Sequence, residues 1–150
     1  MRRNNRIVVT RPDLERLRAI LGSRSRSSRD REHLLDLREE LDRARIVDAE
    51  DVPADVVTLQ SEVRVRDSET GIPADYTLVS PAHADVGSGH VSVLAPLGTA
   101  LLGFREGDEV EWQMPGGVRR LQIERVRQPQ RLAADRRKHE ANAHSRHVAA

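Results

Sequence analysis

Two sets of side chains come nearest to the types and spacing that metal chemistry requires. His139, His144 and His147 stand three to five residues apart, a spacing at which imidazoles can share one metal ion. Asp30 and Glu32 are the nearest pair for a hard cation such as Mg²⁺, which prefers clustered carboxylate oxygens. Two acids do not complete such a site, and the chain has no cysteine to complete the histidine set. We therefore expect solvated histidines, no metal and no cofactor.

Nucleophilic and phosphate-transfer chemistry have no matching motif. Ser88 lies in Gly87-Ser88-Gly89, which lacks the Gly-x-Ser-x-Gly spacing of a nucleophile elbow. Gly98 and Gly103 are not followed by the Lys-Ser or Lys-Thr pair that completes a phosphate-binding loop. The sequence therefore indicates no catalytic residue and predicts that the protein is not an enzyme.

The most informative stretch runs from Ala95 to Val110 and is closed by a Pro-Gly-Gly turn at 115–117. Apolar residues after its proline recur at helical spacing, which predicts one short helix that ends at Gly103. Residues 109–114 alternate between apolar and polar side chains and predict a strand. The turn then leads into a second strand over 118–126. The pattern is typical of a hairpin with a helix at its corner.

Two amphipathic stretches precede this region. The first begins after Thr10, whose hydroxyl can cap a helix that has Asp13 three residues on, and it ends near Gly22. The second runs from Arg29 or Asp30 to Ala44. Each carries a narrow stripe of leucines, so we expect an antiparallel helical hairpin, a short coiled coil, over residues 1–46. The stripes are Leu14, Leu17 and Leu21 in the first helix, and Leu34, Leu37 and Leu41 in the second.

An acidic connector over residues 47–55 separates the helical pattern from a strand pattern. Short apolar runs, with a hairpin turn at 68–71, predict four strands before the informative stretch, at about 56–59, 63–66, 76–79 and 90–94. We expect an α+β protein in which an antiparallel β domain with one short helix occupies residues 56–127. Beyond it the apolar pattern stops. Residues 128–150 predict a disordered basic tail that contacts nucleic acid only weakly, through phosphates.

Composition limits the class of protein. The chain has 150 residues, with 25 basic and 24 acidic side chains and a formal net charge of +1. Its single Trp, Tyr and Phe predict a modest aliphatic core, and the absence of cysteine excludes disulfide bonds. No apolar run approaches the roughly 20 residues of a membrane-spanning helix. We therefore expect a cytoplasmic, monomeric protein with no membrane partner.

The stretch from Ala95 to the turn at 115–117 closely resembles the C-terminal domain of the GreA/GreB transcription elongation factors. Further segments are similar to the Rnk family, named regulator of nucleoside diphosphate kinase: Glu40–Ala44, Pro53–Ser61 and Ser92–Pro96. The resemblance implies an FKBP-like α+β domain that carries a short coiled coil and docks on RNA polymerase near its secondary channel. It also implies a set of polymerase-binding residues, namely Leu94, Ala95, Pro96 and Leu97.

The chain departs from the Gre cleavage factors at two places. Gre factors have an Asp-Ser-Pro sequence where this chain has Leu94-Ala95-Pro96, so only the proline carries over. Gre factors also carry acidic residues at the tip of a long coiled coil, and these acids help to hold a catalytic Mg²⁺. Here the expected tip contains Arg24, Arg26 and Arg29, and Asp30 is the first acid after it.

These features favour a non-enzymatic regulator that binds polymerase at the secondary-channel rim and competes with Gre factors without stimulating transcript cleavage. Two alternatives stay open: a Gre-type cleavage factor that uses Asp30 and Glu32, and an adaptor for a partner other than polymerase. The arginine tip is either a solvated loop or a contact for phosphate or an acidic partner. A prolyl isomerase is disfavoured, because three scattered aromatic residues do not line a proline pocket.

Overall fold

The computed structural model of the protein describes residues 6–22, 28–114 and 116–129. Within them the elements follow in the order β1 Val8–Thr10, α1 Arg11–Gly22, α2 Ser28–Arg43, β2 Arg45–Val47, β3 Glu62–Asp67, β4 Pro73–Val79, β5 His90–Ser92, α3 Pro96–Leu101, β6 Glu109–Met114 and β7 Gly117–Arg127. Single turns of 3₁₀ helix lie at Ala49–Asp51, Pro81–His83 and Val86–Ser88. The described part of the chain is therefore a mixed α+β structure.

Five strands form one sheet in the order β5-β4-β3-β7-β6. The predicted hairpin of β6 and β7 and the turn between β3 and β4 are present, and these neighbours are antiparallel. The expectation of an antiparallel sheet is wrong at one edge, because β5 runs parallel to β4, with Thr77 opposite His90. The 3₁₀ turns between the two strands carry the chain back along the sheet, as a parallel neighbour requires.

An irregularity in register curls the sheet at its centre. Arg64 of β3 lies opposite Arg125, but the next residue, Val65, lies opposite Ile123, so β7 carries one extra residue. The Glu106 carboxylate accepts the backbone N–H of Val126 at 2.8 Å beside this bulge. A side chain thus satisfies a donor near the point where the ladder is disrupted.

The predicted strand at 56–59 is not formed. Val56 makes a single antiparallel bridge to Arg105. Val57 donates its N–H to the carbonyl oxygen of Phe104 and accepts the N–H of Gly103, both in the segment after α3. The chain then reverses at Gln60, whose φ of 68° lies in the left-handed region. Residues 56–59 are all buried, so the apolar run predicts their burial correctly but not their conformation.

The N-terminal residues form two helices between two short strands that run in the same direction. Val9 of β1 lies opposite Ile46 of β2, an association that sequence periodicity did not reveal. The Thr10 hydroxyl accepts the backbone N–H of Asp13 at 3.3 Å, as predicted for the cap of α1. The leucine stripes of α1 and α2 belong to the same buried cluster as the inner face of the sheet. The described residues therefore share one continuous core.

A close backbone approach attaches this N-terminal unit to the rest of the protein. The Val8 N–H donates to the carbonyl oxygen of Gly103 at 3.1 Å. Gly103 has a φ of 80°, and a β-carbon built on it would lie 2.5 Å from Cβ of Ile7. Only glycine combines this conformation with this contact. Gly103 therefore ends α3 and also lets the backbone at the start of β1 pack directly against it.

The end of β7 is also tied to the connector. Gln128, which the sequence assigned to the tail, is buried, and its side-chain amide donates to the carbonyl oxygens of Pro53 at 2.7 Å and Val56 at 2.9 Å. The folded region therefore extends past Arg127. The remainder of the predicted tail, residues 130–150, lies outside the described residues, and so do its three histidines.

Candidate functional site

The loop that joins β5 to α3 holds the residues expected to bind polymerase. Ser92 organises it twice, because its hydroxyl accepts the Leu94 N–H at 3.1 Å and its carbonyl oxygen accepts the Ala95 N–H at 3.0 Å. Val93, between them, is fully buried and donates its N–H to the carbonyl oxygen of Val79 at 2.7 Å. The loop is thereby fixed at the end of the parallel strand pair.

Four residues of this loop have different exposures. Pro96 is exposed at the first turn of α3, and Leu94 and Ala95 are half-buried. Leu97 is only 5% exposed and packs in the core, so its side chain supports the loop from beneath. The surface that a partner can touch is therefore formed by Leu94, Ala95 and Pro96, which we name the 94–96 loop.

The short helix α3 packs directly on the backbone that precedes the 94–96 loop. A β-carbon on Gly98 would overlap the carbonyl group of Ser92 and the α-carbon of Val93. Thr99 closes the first turn, because its hydroxyl donates to the carbonyl oxygen of Pro96 at 3.1 Å. This tight packing presets the shape of the loop before any partner binds.

The chemistry of the 94–96 loop is that of a contact surface. From Val91 to Phe104 the sequence contains no charged or titratable side chain. Apolar side chains on a fixed backbone can bury area against a partner. Among the described residues no three His, Cys, Asp or Glu side chains converge on a metal-sized site.

The expected arginine tip is only partly described. Arg24 and Arg26 lie outside the described residues. Arg29 and Asp30 belong to the first turn of α2, which begins at Ser28, slightly earlier than the sequence pattern predicted.

None of the helices in the described part of the chain combines the length and apolarity needed to cross a membrane.

Arginines are also prominent on the open face of the sheet. A groove of about 300 Å³ there is lined by residues of four strands, among them Arg64 and Arg125. Acidic side chains stand among these arginines, with Arg64 paired to Asp75 at 3.3 Å and the neighbouring Arg66 paired to Glu124 at 3.2 Å. The face is a mixture of both charges rather than the single-sign patch typical of a nucleic-acid surface.

Carboxylates away from the 94–96 loop have shifted pKa values. The backbone N–H groups of Thr70 and Glu69 lower the pKa of Asp67, and Arg119 lowers it further from 3.1 Å. Burial raises the pKa of Asp13, although hydrogen bonding and nearby positive charge offset part of this effect. Two of these partners, Arg119 of Asp67 and Leu59 of Asp13, lie far away in the sequence, so local pattern does not reveal them.

Comparison with known proteins assigns the family. Residues 52–128, more than half of the chain, match the family described as transcription elongation factor GreA/GreB, C-terminal. The chain belongs to the GreA/GreB family. Residues 5–47 match the Rnk N-terminus, so within the GreA/GreB superfamily the protein is most like Rnk. Both findings confirm the resemblance read from the sequence.

Individual relatives agree with this assignment. A regulator of nucleoside diphosphate kinase from Escherichia coli K12 is 46% identical over 82 residues, which are 55% of this chain and 60% of that protein. A transcription elongation factor GreA from Syntrophobacter fumaroxidans is 41% identical over 92 residues, 61% of this chain and 59% of that protein. The chain thus spans about 60% of the length of these GreA/GreB and Rnk relatives.

A solved structure shows the same fold. The prokaryotic transcription elongation factor GreA/GreB from Nitrosomonas europaea is 41% identical to the chain and superposes with a TM-score of 0.69. The match covers 83% of this chain and all of that one. The curled five-stranded sheet with its few helices is therefore a GreA/GreB-type fold.

Proposed function

We propose that this protein is an RNA polymerase-binding transcription regulator that docks at the rim of the secondary channel and competes with Gre factors without stimulating transcript cleavage. The observation that carries the proposal is the GreA/GreB match over residues 52–128. The 94–96 loop supports it, because an apolar, preset loop occupies the place of the family's Asp-Ser-Pro sequence. Leu97 contributes by supporting the loop from the core.

The segment between α1 and α2 is the reason that we expect no stimulation of cleavage. From Gly22 to Arg29 the sequence contains three arginines and no carboxylate. A hard cation in the polymerase active site needs clustered carboxylate oxygens, and guanidinium groups repel it. The protein then acts by occupying the site rather than by supplying a metal ligand, as a regulator that is not an enzyme.

The architecture we propose for this role divides the chain into a short antiparallel coiled-coil hairpin at 1–46, a connector at 47–55, an FKBP-like domain at 56–127 and a basic tail at 128–150. Contact between the helices supports the hairpin, because Arg38 of α2 donates to the carbonyl oxygen of Leu21 at the end of α1, at 3.1 Å. We further propose a cytoplasmic monomer whose tail makes only weak phosphate contacts.

Binding to core RNA polymerase tests the role of the 94–96 loop. Pro96→Glu places a charge on the exposed part of the loop, and the first turn of a helix tolerates glutamate. Val86→Glu is the matched control, because Val86 is 95% exposed in a different loop. We expect Pro96→Glu to weaken binding at least tenfold and Val86→Glu to leave it unchanged. Equal affinities of the two variants would remove the loop from the interface.

A Gre-type cleavage factor is the second candidate, because GreA proteins are among the relatives. It predicts shortened RNA in backtracked complexes that contain this protein alone. It also predicts that the shortening disappears when Asp30 and Glu32 are both changed to Ala, since these are the first acids after the tip. Our proposal predicts full-length RNA in both reactions.

A further inference from the structure

One half-buried carboxylate joins the first helix to the sheet domain. Asp13 lies in the first turn of α1, where its backbone N–H is held by Thr10. Its carboxylate does not complete a capping box but accepts the backbone N–H of Leu59 at 3.0 Å, from a residue 46 positions away. A capping motif that is local in the sequence is therefore used for a contact between distant parts of the chain.

The partner of Asp13 sits on a rigid support. The turn that contains Leu59 is closed by Ser61, whose hydroxyl accepts the Thr58 N–H at 3.0 Å. Gln60 holds a left-handed conformation and donates its N–H to the carbonyl oxygen of Leu78 at 2.6 Å. Leu59 itself is 3% exposed. The N–H that binds Asp13 is therefore fixed relative to β4 and the centre of the sheet.

A second attachment lies immediately before α1. The Val8 N–H donates to Gly103, so β1 is bound to the end of α3. With the attachment at β1 alone, only the core packing of its leucines would restrain the angle of α1, whereas a second attachment fixes the helix at its base as well. The exposed ion pair between Arg11 and Asp48, at 3.1 Å, adds little, because solvated pairs contribute weakly.

We propose that Asp13 is a positioning residue that fixes the direction of α1 relative to the sheet and to the 94–96 loop. A helical unit that enters a channel while a separate loop holds the rim needs a defined angle between the two. The Asp13–Leu59 hydrogen bond supplies that angle at the base of the helical unit. The link from the direction of α1 to inhibition of Gre-stimulated cleavage rests on the proposed function, whereas the positioning role does not.

Hydrogen exchange and a distance measurement test the positioning role without polymerase. Asp13→Ala leaves the Leu59 N–H without its acceptor, so we expect its exchange to rise about tenfold. Asp13→Asn keeps an oxygen acceptor and restores protection, and Glu15→Ala, on the exposed side of the same helix, has no effect. Asp13→Ser, which is too short to reach Leu59, replaces Asp13→Ala if the alanine variant does not fold.

The same variants report helix direction. The chain has no cysteine, so spin labels at Ala19→Cys and Glu69→Cys, both exposed, give one distance between α1 and the sheet domain. We expect Asp13→Ala to broaden the distance distribution and Asp13→Asn to retain the wild-type distribution. Unchanged Leu59 exchange together with an unchanged distribution in Asp13→Ala would overturn the positioning role.

Inhibition of Gre-stimulated cleavage tests the link to polymerase. We expect Asp13→Ala to require several-fold more protein for half-inhibition, with Asp13→Asn close to wild type. A loosened helix with undiminished inhibition would overturn the link. Failure of the wild-type protein to bind polymerase would overturn the proposed function instead, and the exchange and distance results would still decide the positioning role.

Discussion

Gly103 provides a matched pair of substitutions with Gly107. Both glycines have positive φ, 80° and 89°, so an alanine at either position pays a conformational cost of about 1–2 kcal/mol. Reduced freedom of the unfolded chain offsets about 0.4–1 kcal/mol of that cost in both variants. A β-carbon on Gly107 meets nothing within 4 Å, whereas one on Gly103 meets Ile7 Cβ at 2.5 Å and the Val8 carbonyl oxygen at 3.1 Å.

The difference between the two variants isolates the contact between α3 and β1. Ile7 Cβ is next to the backbone, so β1 must move, and overpacking of this kind costs about 1–3 kcal/mol. We therefore expect Gly103→Ala to lower the free energy of unfolding by about 2–4 kcal/mol and Gly107→Ala by about 1 kcal/mol. Urea unfolding followed by the fluorescence of Trp112, the single tryptophan, measures both. Losses equal to within about 0.5 kcal/mol would refute the reasoning.

Further predictions concern Gln128, Asp67 and Asp13. Gln128→Ala removes the side-chain donor that the carbonyl oxygens of Pro53 and Val56 share, so we expect urea unfolding to show a loss of about 1–3 kcal/mol, while the exposed Gln122→Ala shows almost none. Asp67 has a lowered pKa in the folded state, so its stabilisation is present above the unfolded pKa of about 3.9 and is lost as pH falls through the folded value. Acid unfolding of Asp67→Asn should lack this component, and an unchanged acid transition would contradict it. The contribution of Asp13 to stability has the opposite pH dependence. Because its pKa is raised in the folded state, stability falls as pH rises from the unfolded to the folded pKa. Asp13→Asn should remove that slope of stability against pH.

Local pattern was sufficient where one element determined its own shape. The run from Ala95 onward predicted α3, β6 and β7, because helical spacing, period-two alternation and glycine turns are all local signals. Thr10 predicted the cap of α1 for the same reason. The same stretch carried the family resemblance that the comparisons confirmed.

Partner choice between distant elements was not predictable from the sequence. The apolar run at 56–59 predicted a strand, but its neighbour offers only one bridge, and the left-handed Gln60 then reverses the chain. The parallel association of β4 with β5 depends on how the intervening 3₁₀ turns cross the sheet. The sequence pattern predicts Asp13 only as part of a cap, because no local signal reveals that its carboxylate accepts the Leu59 N–H. These features are set by tertiary packing, which overrides local preference.

The most direct test of the proposed function is RNA cleavage in backtracked polymerase complexes that contain a Gre factor and increasing amounts of this protein. We expect the protein alone to leave the RNA at full length. We also expect it to suppress Gre-stimulated cleavage progressively, because both compete for the secondary-channel rim. Gre-stimulated cleavage that continues unchanged at saturating protein, or shortened RNA with the protein alone, would contradict the proposal.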